Sequence, residues 1–190
     1  MSAVPQKPAT LDPRAVALLE WMGARPWARL IVLGGGVALK HYLGYRGTKD
    51  CVAWWHPDAS ADERRQIIAE VANTMRGQNS GCEIRLREFN EVNSVELFQT
   101  GQAPFSFQIA KRDVQLEPYL RSGWGGIGIE SLNDNLASKM CALVDRGYPR
   151  DLRDIRRRPL ENILDKTERA EADEVRQWFL KEFLHEESRN

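Results

Sequence analysis

In "YRGTKDCVAWW" an arginine, a threonine and an aspartate stand at alternate positions, Arg46, Thr48 and Asp50, just ahead of an apolar run. On an extended chain, side chains two apart share a face. Asp50, Val52 and Trp54 therefore face one way, and Cys51, Ala53 and Trp55 the other. A carboxylate at the mouth of a strand suits a divalent cation, and an Asp-x-Asp pair would aim two at one point. Position 52 is valine, so only the first carboxylate is supplied. Asp50 is equally able to cap a turn or to pair with Arg46 or Lys49. Upstream, "RLIVLGGGVALKHY" passes from an apolar run through Gly34, Gly35 and Gly36 into a short helical pattern. A strand that turns through glycines into a helix presents backbone N–H groups to an anion, most often phosphate. The run does not fit G-x-G-x-x-G, because Leu39 holds the third glycine position, and it lacks the Gly-Lys-Ser/Thr of a P-loop. A plain tight turn explains the glycines as well.

A second set of candidate groups lies in "LASKMCALVDRGYPRDLRDI". On a helix, Leu132, Leu136, Met140, Leu143 and Val144 form one apolar stripe, with Lys139 and Arg146 along its edge. A cation that points partly inward needs a partner such as a phosphate. It can also pack its stem and carry its head to water. Asp151 and Asp154 are three apart and share a helical face, among Arg150, Arg153, Arg156, Arg157 and Arg158. That pattern also describes a surface ion-pair lattice of small energetic worth.

The elements that must position these groups read clearly. "LDPRAVALLEWMG" is a helix with Asp12 as cap and Pro13 in its first turn. "SADERRQIIAEVANTMRG" is another, opened by a Ser60/Glu63 capping box, with Ile67, Ile68, Val71, Ala72 and Met75 on one face. "CVAWW", "CEIRLREF", "SVELFQ" and "FSFQIAK" read as strands, with a turn at "NEVN". From Ser131 the pattern is helical, after a "SGWGGIG" connector that suits a turn or a mobile loop. The expected fold is therefore α/β (α+β), a mixed sheet flanked by helices and followed by a helical C-terminal region. The expected divisions are a flexible tail over 1–11, a core over 12–125 and a helical region over 126–190.

Lys+Arg and Asp+Glu both number 27, which weakens bulk attraction to nucleic acid or anionic membrane. The three cysteines form no CxxC pair, so neither a zinc site nor a disulfide framework is indicated. His41, His56 and His185 have no ligand spacing. No apolar run approaches the 18 residues of a membrane span. A cytoplasmic protein is expected.

"GGVALKHYLGYRGTKDCVAW", Gly35 to Trp54, resembles without a gap the signature of the AbiEii/AbiGii toxin family of nucleotidyltransferase-like proteins. That signature runs Gly-Gly-Thr/Ser-Ala-Leu, a short helix, then Gly-His-Arg-x-Ser/Thr-x-Asp-Leu-Asp-Phe. The family's lysine helix and Arg-Asp-x-x-Asp-Leu/Ile run are matched in order by "SKMCALVDRGYPRDLRDI". The resemblance implies a nucleotidyltransferase fold and Mg²⁺-dependent transfer of a nucleotidyl group from an NTP to RNA or another acceptor. It also implies a bacterial type IV toxin–antitoxin or phage-defence setting with a cognate antitoxin. By resemblance, Gly35, Gly36, Arg46, Thr48 and Lys139 bind the nucleotide, with Lys139 on the triphosphate. Asp50 holds the metal, and Asp154 positions the lysine or acts as base. Arg146, Arg150 and Asp151 support them. Two departures are evident: Val37 replaces the family's Ser or Thr, and Val52 replaces its second metal carboxylate. A third carboxylate would belong on "FSFQIAK", where Gln108 stands nearest its place; Glu83 or Glu96 could substitute if either points beside Asp50. The implied transfer activity is therefore impaired. The alternative is a catalytically inactive module, binding nucleotide, RNA or protein on the same fold. A phosphate-binding enzyme of another reaction class fits least.

Overall fold

The computed structural model describes residues 4–43, 48, 50–89, 91–112 and 114–146, with the backbone alone for 143–146. The chain forms two compact units, residues 4–138 and residues 139–190 together with 1–3. The first unit is a mixed α/β layer, as the sequence leads one to expect.

α1 (Pro13–Gly23) starts where Asp12 accepts from the backbone N–H of Arg14, and it buries Ala15, Leu18, Leu19 and Met22. A 3-10 turn over Pro26–Leu30 feeds β1 (Ile31–Gly34), which is buried on both faces. α2 (Gly35–Tyr42) follows directly. β2 (Asp50–Trp55) shows the expected alternation, with Cys51, Ala53 and Trp55 buried and Asp50, Val52 and Trp54 half-buried. α3 (Ala61–Gln78) carries the complete Ser60/Glu63 capping box. β3 (Glu83–Phe89), β4 (Val92–Phe98) and β5 (Phe105–Ala110) complete the strands legible in the sequence. β6 (Leu120–Arg121), β7 (Gly128–Ile129) and the start of α4 (Leu132–Arg146) follow.

The sheet order is β3-β4-β5-β2-β1-β7-β6. β2 runs antiparallel to β1 and parallel to β5, and β7 runs parallel to β1. Cross-strand partners share a face, so the register sorts the two faces. Cys51 and Ala53 lie with Phe107, Ile109 and Val95 in the core beneath Ile67, Val71 and Met75 of α3. Asp50 and Val52 lie with Ser106, Gln108, Glu96 and Ser94 on the opposite face.

The connector "SGWGGIG" is a closed turn. Ser122 Oγ donates to the Ile127 carbonyl at 2.6 Å and accepts from the Trp124 N–H at 3.1 Å. Gly123 and Gly125 have positive φ. At Gly125 a side chain would strike the Gly23 backbone, which fixes glycine there by close approach as well as by dihedral. The turn is ordered because Trp124 is buried and its indole N–H donates to His41 Nε2 at 2.8 Å. Near the start of the unit, the Gln6 N–H donates to the His41 carbonyl at 2.7 Å, and the Lys7 ammonium lies 3.8 Å from the Trp124 ring centre.

Candidate functional site

The β1–α2 junction places the glycines beside the entry of β2. Gly34 pairs with Val52 across the two strands. Gly35 turns the chain at φ +57, a dihedral that L side chains rarely adopt. Gly36 lies against Thr48: a Cβ on Gly36 would come within 3.1 Å of Thr48 Oγ1. Thr48 Oγ1 in turn donates to the Asp50 carbonyl at 2.9 Å. Gly35, Gly36, Thr48 and Asp50 are therefore assembled at one end of the central strand pair.

Asp50 does not stand alone. Its Oδ1 accepts from Ser106 Oγ at 2.8 Å, and that hydroxyl accepts from Gln108 Nε2 at 3.0 Å. Gln108 pairs with Val52 on the neighbouring strand, and Ser106 pairs with Asp50. Glu96 is one strand further out, opposite Ser106, and is tied to Arg87 at 3.0 Å. Glu83, on the outer strand, is tied to Arg85 at 2.7 Å. Neither acid stands on a strand next to Asp50. Val52 presses on the turn itself, its Cβ 3.1 Å from where a Cβ of Gly35 would stand.

The group that completes this corner is Glu130, at the end of β7. Its carboxylate is fully buried and saturated by four donors. Oε1 accepts from the Gly35 N–H at 2.9 Å and from Asn135 Nδ2 at 2.6 Å. Oε2 accepts from Trp54 Nε1 at 2.8 Å and from Arg112 Nη1 at 2.6 Å. Arg112 reaches Asp134 Oδ1 with its other arm at 2.9 Å, and Asp134 also caps α4 with Ser131. Desolvation raises the Glu130 pKa above the ordinary value; the Asn135 hydrogen bond, the Arg112 charge, the Trp54 indole and the Gly35 N–H all oppose it. Removing one partner of a buried, bonded charge leaves the other unpaired, at a cost of about 3–5 kcal/mol.

Sequence reasoning misses Glu130, Arg112 and Asn135. The Gly35–Glu130 bond spans 95 residues, and no local pattern announces it. The one signal present is Ser131-x-x-Asp134, a capping box that marks the helix start but not the buried ion pair beneath it.

Lys139 is buried on α4 and belongs with the second compact unit. Arg46, Arg150, Asp151 and Asp154 lie outside the described residues, as does the side chain of Arg146. Among the described residues, no group of three or more His, Cys, Asp or Glu comes together as a metal site. No helix among them is long and apolar enough to cross a membrane.

No family model and no curated protein matches the chain. Among solved structures, the Cid1 poly(U) polymerase, in its Mg 3'-dATP-bound form, is similar at 15% identity with a TM-score of 0.32. The match covers 52% of this chain and 29% of that polymerase. A likeness so partial decides nothing about activity or substrate.

Proposed function

We propose that this chain is a nucleotidyltransferase-like protein of the AbiEii type, one that binds a nucleoside triphosphate at the glycine turn and is impaired in nucleotidyl transfer. The observation that carries the reading is the assembly of Gly35, Gly36, Thr48 and Asp50 at the mouth of α2 and β2. The backbone N–H groups of a helix's first turn have no intrahelical acceptor. Those of Gly36 and Val37 are the ones left for a phosphate once Glu130 has taken the Gly35 N–H, and Thr48, whose hydroxyl bonds the Asp50 carbonyl, lies against Gly36. Lys139 is assigned to the triphosphate, and Arg46 and Asp154 to nucleotide and lysine positioning, on the resemblance alone.

The donor set at the Asp50 carboxylate is that one carboxylate with the neutral oxygen of Ser106, and the Thr48 hydroxyl bonds the Asp50 main-chain carbonyl. That fits one Mg²⁺ completed by phosphate and water, since Mg²⁺ commonly uses one or two protein carboxylates. It does not fit a two-ion centre, because Val52 packs where a second carboxylate would stand. Bound there, the ion would neutralise phosphate charge. Loss of a metal ligand is expected to cost on the order of a thousandfold in rate. The same packing of Val52 favours the second reading, a nucleotide-binding module without transfer. RNA as acceptor and an antitoxin as partner belong to the proposal through the resemblance.

The test incubates the purified chain with each labelled NTP, Mg²⁺ or Mn²⁺ and total RNA, beside Asp50→Ala and Lys139→Ala. Label transfer lost in both variants supports the enzyme. No transfer, but calorimetric NTP binding weakened in both, supports the module. No NTP binding at all overturns both.

A further inference from the structure

The apolar stripe of α3 stops short of the helix start. Ile67, Ile68, Val71, Ala72 and Met75 close on the sheet, but the next position of that stripe toward the N-terminus is Arg64. Its guanidinium lies over the Trp55 ring, 5.9 Å from the ring centre, and its Nε is sealed from water without an acceptor. No nitrogen of the group has a hydrogen bond or an ion pair among the described residues. A charge held in this way is costly until a partner arrives. The sheet facing it is polar where a closed core would be apolar: Glu88 pairs with Asn93 across β3 and β4, in line with buried Ile109 of β5. Leu86 stays 53% exposed on the same face, although its neighbours in line, Val95 and Phe107, are fully buried. Between the start of α3 and the β3–β4 hairpin lies a cavity of about 580 Å³, a size that suits a small molecule. It opens on the α3 side of the sheet, whereas Asp50 and Ser106 face the other side.

The lining is cationic where Arg64 covers Trp55 on β2 and apolar where Ile68 meets Leu86 on β3. Those two strands are three spacings apart, about 14 Å. The other cations of the lining already have acids: Arg65 pairs with Asp62, Arg87 with Glu96 and Lys111 with Glu91. The positive charge left over is that of Arg64. Glu88 and Glu91 stand on the same lining and oppose a second negative charge on any ligand. We propose that this cavity binds a small amphipathic monocarboxylate, with its carboxylate on the Arg64 guanidinium and its apolar chain or ring along Ile68 and Leu86. A guanidinium and a carboxylate match as planar forks. Such a ligand answers the unpaired charge and covers the exposed leucine together. The site is separate from the glycine turn and does not depend on the nucleotide reading.

The experiment titrates the full chain with octanoate by calorimetry at pH 8, beside octanol, acetate and octyl phosphate, each below its aggregation concentration. Wild type should bind octanoate about tenfold or more tighter than octanol or acetate, the margin expected for one charge-assisted pair at one end and one buried chain at the other. Octyl phosphate, a dianion at that pH, should bind more weakly than octanoate. Arg64→Met keeps the stem and removes the charge, so octanoate should fall to the octanol level while octanol is unchanged. Leu86→Asn alters an exposed side chain and should weaken octanoate and octanol alike. Arg76→Met, on the exposed side of α3, should change neither. Octanoate binding that Arg64→Met leaves intact, or that is no tighter than octanol binding, overturns the proposal. Tighter binding of octyl phosphate also overturns it and assigns the cavity to phosphate esters. No octanoate binding by wild type overturns it outright. If Arg64→Met does not fold, the head-group comparison in wild type and the response of Leu86→Asn decide by the same criteria.

Discussion

Replacing Val52 by aspartate exchanges two methyl groups on Cβ for a carboxylate set one bond further along the side chain, at a similar volume. The site is half-buried and in contact with the Gly35 turn, so steric cost is small and electrostatic cost dominates. Asp50 is two residues away on the same strand face, about 7 Å by strand geometry. Coulomb repulsion at that separation, with an effective dielectric between those of a protein surface and water, is about 1–2 kcal/mol. Glu130, on the far side of the turn, adds to it. In EDTA, Val52→Asp should therefore melt several degrees below wild type, since about 1 kcal/mol corresponds to about 2–4 °C in a domain of this size. A divalent ion reverses the sign of the change, because two carboxylates now converge where one stood. At a hundredfold excess over its dissociation constant, it returns about 2.7 kcal/mol. The assay is thermal denaturation with a Mn²⁺ or Mg²⁺ titration, beside Val52→Asn, which has the shape without the charge. The expected result is a metal-dependent rise in Tm for Val52→Asp that neither wild type nor Val52→Asn matches, with labelled nucleotide transfer increased by on the order of a thousandfold. A Val52→Asp protein with no metal-dependent gain, or a Val52→Asn protein with the same gain, refutes the placement of position 52 beside a cation.

Gly34→Ala should be severely destabilising, about 3 kcal/mol or more, because the new Cβ enters the Trp54 indole and breaks its bond to Glu130. Among the described residues Gly36→Ala meets the Thr48 side chain, and it gains helix propensity, so urea denaturation should place it within about 1 kcal/mol of wild type. His41 donates from Nδ1 to the Val37 carbonyl and accepts from Trp124 at Nε2, so it is held neutral, and burial lowers its pKa. The stability it contributes is present above the ordinary histidine value near 6.5 and is lost as pH falls through the lowered one. Urea denaturation from pH 8 to pH 5 should thus show a steeper loss for wild type than for His41→Gln. The Cys51 thiol is fully buried and pushed up to about 12, so a thiol reagent should modify exposed Cys141 quickly, Cys82 more slowly and Cys51 only on unfolding. Rapid labelling of Cys51 in the native protein would refute the burial of that face of β2.

What the sequence discloses is local. Asp12, Ser60 and Ser131 announce helix starts because a cap is a contact between residues two or three apart. The alternation through Asp50, Val52 and Trp54 announces the two faces of β2 because a pleat has period two. The same logic fails for β6 and β7, two residues each, which are too short to carry a period. It fails again for the site. Arg112, Glu130 and Asn135 are scattered between a strand end and a helix start, and they become one network only when β7 docks beside β1. The glycine turn was visible from its composition. The anion within it was not, because a glutamate after "GIGI" is locally no different from one in a loop.

α2 is held at both ends by residues that come after it at long range: Glu130 at Gly35, 95 residues on, and Trp124 at His41, 83 residues on. This ordering has a temporal meaning. Loop closure must precede such contacts, and a two-turn helix has little stability of its own. At cellular synthesis rates the ribosome takes on the order of ten seconds to make the intervening chain. Until then the glycine turn lacks both its lock and its internal charge. A chain halted before Arg112 would contain every residue of the turn and yet have neither contact that holds α2 in place, so this corner is among the last parts of the unit to become ordered.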